Sequence, residues 1–191
     1  NVVGQLQGVD FGLPHASIDQ LSPDFELLTQ DDTTLLLPPI KRNRHKYQAG
    51  HVVGLAGSAS MPGAALLASL AAFRGGAGIV RLLYPQGMEE VLAASPYELI
   101  KIPYAYDHVD ETIALMRRAT ANFVGPGLGS HDQVKNFLQK VIPFLDKPCV
   151  MDADALTIFA KQPFKLPLET ILTPHRGEMQ TLLQSSTSLT L

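Results

Sequence analysis

From His51 onward, short apolar runs alternate with segments whose apolar positions recur every three or four residues. The runs are HVVGLA from His51, IVRLLY from Ile79, ELIKI from Glu98, ANFVG from Ala121, PCVMDA from Pro148 and ETILTP from Glu169. Between them the spacing predicts helices over Ala64–Arg74, Gln86–Ala94, Asp110–Arg118, Gln133–Phe144, Ala155–Lys161 and Gly177–Gln184. Strands alternating with helices predict βαβ units and an α/β fold, a mostly parallel sheet with helices on both faces. A run such as VVGLA is apolar without alternation, as expected for a strand buried on both sides. Before His51 the pattern is different. NVVGQLQGVDFGLP has strand-like composition around Val2 to Phe11, closed by Gly12 and Pro14, and Pro23, Pro38 and Pro39 interrupt the irregular stretch from His15 to Asn43. Within it, LLTQDDTTLLLPP shows no long helical period, and KRNRHK, from Lys41 to Lys46, reads as a solvated linker in preference to a phosphate-contacting patch.

Composition narrows the class. The chain has 191 residues, 46% hydrophobic and 17% charged, enough for one sizeable core with an appendage. A net charge of −3 gives no reason to expect a nucleic-acid or membrane-surface protein. No segment reaches the roughly 18–20 uninterrupted apolar residues of a membrane helix. Cys149 is the only cysteine, which excludes an internal disulfide and agrees with a reducing, cytoplasmic setting. The chain opens on Asn1 without a signal pattern, and its first residues read as sequence from inside a longer polypeptide.

In parallel α/β sheets ligands bind outside the carboxyl ends of the strands, so the turns that leave the strands are where chemistry is expected. In GLAGSASMPGAALLASLAAFRGGAGIV, Gly57-Ser58 succeeds a strand and Gly63-Ala64-Ala65 opens a helix of small residues. That segment suits either close approach of a ligand to backbone N–H groups or tight helix–sheet packing. It is neither a P-loop nor a GxGxxG fingerprint. FVGPGLGS, from Phe123 to Ser130, places Gly125, Gly127 and Gly129 in one loop, and Ser130 with Gln133 fits a capping box at the next helix. In VMDADAL, Asp154 is placed to cap a helix, whereas Asp152 at a strand end is a carboxylate with a candidate metal or substrate role. In ILTPHRGEMQ, Thr173 and Pro174 end a strand and Glu178 suits a first helical turn. His175 has no such structural account and would face the same crevice.

These segments, in this order and approximate spacing, resemble the NAD(P)H-hydrate dehydratases of the ribokinase-like superfamily, from about His45 to the end. GVDFGLP and, further on, LLPP resemble the exit of an NAD(P)H-hydrate epimerase domain. The resemblance implies residues 1–44 as an epimerase-domain tail plus linker, and residues 45–191 as the first part of a dehydratase domain with a three-layer α/β/α fold. It implies a lyase of nicotinamide-nucleotide repair that restores the S epimer of hydrated NADH or NADPH. The hydroxyl is phosphorylated from ADP (or ATP), with Mg²⁺, and phosphate is then eliminated, because hydroxide is a poor leaving group and phosphate a good one. It further implies a homo-oligomer. Matched by motif, Ala64, Gly127, Gly129 and His175 would contact the hydrated cofactor, with Asp152 and Asp154 as secondary candidates. In the family a glycine-rich anion hole holding the catalytic aspartate lies downstream of the Thr-Pro-His motif. After Glu178 this sequence reads MQTLLQSSTSLTL to Leu191, so that aspartate is expected beyond Leu191. The expectation is an inactive isolated chain with an uncovered sheet edge or apolar face. Two other readings stand beside this one: a sugar or hydroxymethylpyrimidine kinase of the same fold, and a non-catalytic nucleotide-binding fold.

Overall fold

The computed structural model describes residues 29–37 and 39–186, with isolated positions 9, 12, 14, 16 and 20. The strand-like stretch from Val2 to Phe11 therefore lies outside the described residues. The chain forms two compact units, Asn1–Arg42 and Asn43–Leu191. In the first, the stretch without a helical period forms one short helix, α1 (Gln30–Leu36). Its signal is local. The Thr29 hydroxyl accepts from the Asp32 amide at 3.4 Å while the Asp32 carboxylate accepts from the Thr29 amide at 2.9 Å, a reciprocal capping box.

The second unit is built on β1 (His51–Leu55), β2 (Ile79–Pro85), β3 (Ile100–Tyr104), β4 (Ala121–Val124), β5 (Cys149–Met151) and β6 (Thr170–Leu172). These pair in parallel throughout, in the order β3-β2-β1-β4-β5-β6. The helices are α2 (Pro62–Arg74), α3 (Val109–Arg117), α4 (Asp132–Val141), α5 (Asp154–Lys161) and α6 (Arg176–Ser186). One face of the sheet packs Val53, Leu55, Val124 and Met151 against Met116 of α3, Phe137 and Leu138 of α4, and Leu156 of α5. The other packs Val80 and Leu82 against Ala65 of α2 and against Met88 and Leu92. The buried positions of α4, Val134, Phe137, Leu138 and Val141, lie at the i, i+3, i+4, i+7 spacing of one helical stripe. Pro143, which has no N–H, then closes the chain into the short 3₁₀ turn Ile142–Phe144. Pro103 sits in β3, an edge strand, where a missing donor is tolerated.

Two expectations from the periodicity need correction. Gln86–Ala94 is a run of turns, not a helix. Gly87 takes φ 95°, and its amide donates to the Glu89 carboxylate at 2.9 Å, which holds the backbone out of helical geometry. The apolar spacing there was real, because Met88 and Leu92 are both buried and the Leu92 amide donates to the Met88 carbonyl at 3.0 Å. One turn is enough to seat both side chains. The second correction concerns Ser130. The helix starts two residues later, its cap residue is His131, and no side chain closes that cap.

Val150 and Ile171, register partners on β5 and β6, are 37% and 64% exposed. The sheet face at these two strands is thus apolar and open among the described residues. KRNRHK is exposed throughout, in keeping with a solvated segment.

Candidate functional site

The strand order reverses direction at β1, which is flanked by β2 on one side and β4 on the other. In doubly wound sheets the loops leaving the two strands at such a point splay apart and leave a ligand crevice. Here the loops after β1 and β4 are joined at their base: the Gly57 amide donates to the Pro126 carbonyl at 2.9 Å. Above that bond the glycine loop meets the start of α2. A Cβ added at Gly127 would lie 2.7 Å from the Met61 carbonyl oxygen and 2.9 Å from the Ala64 Cβ, and Gly127 takes φ 70°. Only glycine fits both the space and the backbone angle. The structure therefore brings Ala64 and Gly127 into contact. Pro62 occupies the first position of α2, where its missing N–H costs nothing, and no side chain caps that helix.

The two carboxylates of VMDADAL do different things. Asp154 is the first residue of α5, not its cap; Ala153 holds the cap position with φ 51° and ψ −123°. This corrects the expectation that Asp154 caps its own helix. Its Oδ2 instead accepts the Gly129 amide at 2.9 Å, tying the end of the glycine loop to β5's outgoing turn. Asp152 touches the same loop through its backbone, since a Cβ on Gly125 would overlap the Asp152 carbonyl oxygen. The Asp152 side chain is half-buried at the carboxyl end of β5.

His175 is accounted for locally. Its Nδ1 accepts the Gly177 amide at 3.0 Å, and the Glu178 carboxylate accepts the His175 amide at 2.9 Å. This is a capping box in which an imidazole replaces the usual hydroxyl. The His175 Nε2 also lies 3.3 Å from the Glu178 carboxylate, and the ring remains 73% exposed. Sequence reasoning missed this role because the capping signature is written for Ser, Thr, Asp or Asn at the first position. The signal was nonetheless present, as His175 and Glu178 have the required spacing. Two inter-strand spacings, about 10 Å at ~4.8 Å each, separate β6 from β4, so His175 stands at the far end of the crevice from Gly127.

The cap yields a test. His175→Ala should destabilise the protein by about 1 kcal/mol through loss of the α6 cap, whereas His175→Asn should retain most of it. Thermal unfolding of both variants checks this. If the two fall equally, the imidazole is not the cap acceptor.

Cys149 is not a nucleophile. It is the first residue of β5 and is buried, and burial pushes its thiol up to about 12, so it stays protonated. Among the described residues no group of three or more His, Cys, Asp or Glu side chains could hold a metal ion. Nor is any helix there long and apolar enough to cross a membrane.

The fold and the strand-end crevice define a doubly wound α/β protein. A ribokinase-like superfamily protein from Enterococcus faecalis V583 superposes with a TM-score of 0.72 over 81% of this chain, at 23% identity. Residues 52–190 match the NAD(P)H-hydrate dehydratase family model, and the chain belongs to that family. It is 35% identical over 180 residues to the bifunctional NAD(P)H-hydrate repair enzyme Nnr of Coxiella burnetii, covering 94% of this chain and 36% of that protein. To the enzyme of the same name from Escherichia coli K12 it is 33% identical over 187 residues, covering 97% and 35%. The chain thus spans little more than a third of these relatives' length. An ADP/ATP-dependent NAD(P)H-hydrate dehydratase from Bacillus subtilis, co-crystallised with ATP and Mg²⁺, superposes with a TM-score of 0.67 at 28% identity, covering 84% of this chain and 58% of that one.

Proposed function

We propose that residues 45–191 form the part of an ADP-dependent NAD(P)H-hydrate dehydratase that holds the hydrated cofactor, and that residues 1–44 are the tail and linker of an epimerase domain. The observation that carries this is the closure of the Gly125–Gly129 loop onto Met61 and Ala64 at the point where the strand order reverses. Bare backbone lets the loop pack this closely, so that a nicotinamide ring or ribose would meet a wall of main chain and small side chains. Ala64, Gly127 and Gly129 form the near wall for the substrate. His175 stands at the far end, where its exposed imidazole can meet a polar group of the ligand while Nδ1 keeps the helix capped. Asp152, half-buried at the carboxyl end of β5, would be the carboxylate nearest that space in this reading.

The chemistry is nucleotide-dependent dehydration. The terminal phosphoryl of ADP passes to the ring hydroxyl of the hydrate, releasing AMP and the hydroxyl proton; phosphate then leaves as the C–O bond breaks, a neighbouring ring proton is lost and the ring double bond is restored. The residues of this crevice contribute positioning, which alone can lower such a barrier by several kcal/mol. Mg²⁺ would be held mainly by the nucleotide phosphates. The fold also suits a homo-oligomer, since the open apolar face of β5 and β6 is available for association.

The test is recovery of reduced-nicotinamide absorbance from the S epimer of hydrated NADH, with ADP and Mg²⁺, in the protein that carries this chain. Recovery that requires ADP and falls at least about ten-fold in Gly127→Ala, which forces a methyl against Met61 and Ala64, supports the reading. ADP-independent recovery, or phosphorylation of a sugar or hydroxymethylpyrimidine with no action on the hydrate, overturns it.

A further inference from the structure

We infer that Asp154 is a positioning residue, which fixes the ligand-facing glycine loop by binding the Gly129 amide and does not itself touch the cofactor. This rests on the reading of that loop as the wall of the hydrated-cofactor site.

Three observations converge on it. First, a helix-opening aspartate has an easy local role as a cap, and this one does not take it. The cap position belongs to Ala153, and the Asp154 Oδ2 reaches a backbone amide twenty-five residues earlier in the chain, at 2.9 Å. Second, the backbone that presents Asp154 in this way is strained. Ala153 is the only residue other than glycine with positive φ among the described residues, and its φ 51°, ψ −123° pair is a region that L side chains rarely adopt. Such strain persists only where the surroundings over-determine it, and it gathers at functional sites. Third, the other end of the same turn is also locked to the glycine loop. The Asp152 carbonyl closes the space over Gly125, and the Asp152 amide donates to the Val124 carbonyl at 3.1 Å.

The β5 turn therefore holds the glycine loop at both ends, by steric closure at Gly125 and by a charged hydrogen bond at Gly129. Between these anchors lies Gly127, the residue packed on Met61 and Ala64. A loop with three glycines has many alternative conformations, and each anchor removes some of them before a ligand arrives. With the Asp154 acceptor removed, the Gly129 end is free to move, and the binding protein must reorder it at the expense of affinity. The Gly129 amide, once released, also becomes a donor that competes for water or ligand.

The experiment has two independent readouts on wild type, Asp154→Ala and Asp154→Asn. Amide hydrogen exchange of Gly129, monitored by NMR in the protein that carries this chain, reports the latch irrespective of function. Asp154→Ala should lose most of the protection at Gly129 while β1 and β4 amides keep theirs, and Asp154→Asn, whose side-chain oxygen still accepts, should restore it. The second readout is affinity for the S epimer of hydrated NADH, with KM and kcat measured separately in the protein that carries this chain. Removing one hydrogen bond to a charged acceptor should weaken affinity by about ten-fold or more, with recovery in Asp154→Asn. The loss should fall on KM more than on kcat, as expected for a residue that orders the binding wall.

Protection at Gly129 unchanged in Asp154→Ala overturns the latch. Protection lost with affinity unchanged shows a bond that serves the fold and not the ligand, and overturns the positioning role. An equal loss of affinity in Asp154→Asn and Asp154→Ala points to direct contact with the ligand, and overturns it as well. Wild type that fails to bind hydrated NADH sinks the proposed function instead, and Gly129 protection then decides separately whether Asp154 orders the loop.

Discussion

Gly125→Ala is expected to lower the stability of the protein by about 3 kcal/mol or more, the combined effect of overpacking and of placing an L side chain at positive φ. Gly125 has φ 126°, and an added methyl would overlap the carbonyl oxygen of Asp152 and come within 2.9 Å of the Ala155 Cβ. Neither neighbour can step aside cheaply. The Asp152 carbonyl accepts the Ala155 amide at 3.2 Å at the start of α5, and the Gly125 amide itself donates to the Leu55 carbonyl at 3.1 Å. Relief therefore requires β4, β5 and the start of α5 to separate. Gly63→Ala is the matched control. Gly63 lies in the first turn of α2, with nothing within 4 Å of an added Cβ, so alanine should be neutral or slightly stabilising there. Chemical denaturation of both variants against wild type measures the contrast. A Gly125→Ala variant as stable as Gly63→Ala would mean that the β4 and β5 turns do not approach so closely.

Phe137→Ala is expected to cost about 3–5 kcal/mol, the range for removing a buried aromatic ring. Phe137 is 2% exposed and lies parallel to the Tyr104 ring with centroids 4.8 Å apart. Tyr106 meets Phe137 edge-on at 5.6 Å and meets His131, the cap residue of α4, at 5.8 Å. The cluster joins the end of β3 to α4, and so fixes the helix into which the glycine loop runs. Burial also raises the Tyr104 phenol well above its ordinary value, so it stays neutral at any working pH. Urea unfolding gives the stability loss. Phe137→Leu, which fills much of the volume without the ring contacts, should fall between wild type and Phe137→Ala. A cost below about 1 kcal/mol for the alanine variant would contradict a close-packed cluster.

Much of the α/β architecture was legible in the chain because its local and global signals agree. The apolar runs from His51, Ile79, Ala121, Pro148 and Glu169 are strands, and helix starts fell within two residues of those expected. Gln86–Ala94 failed because periodicity records which residues are buried, not how many turns carry them. Gly87 and the Glu89 side chain decided the conformation there. The short helix after Thr29 was overlooked because a seven-residue helix has too few turns to show a period, and only its capping box marks it.

The sequence alone determined the alternation of buried strands with amphipathic helices, and with it the strand ends on which any chemistry would sit. It also supplied the glycines, the two aspartates and the histidine in an ordered set that identifies the family. These are properties of local pattern, set by side-chain burial and backbone permissiveness within a few residues. Only the tertiary structure decided what each polar group is bound to. Asp154 reaches Gly129, far away in the chain, while His175, expected to contact a ligand, also caps the helix beside it. A hydrogen-bond acceptor has several candidate donors within reach of its rotamers, and the choice among them depends on which strands lie side by side. Strand adjacency is a long-range property, and no local spacing encodes it.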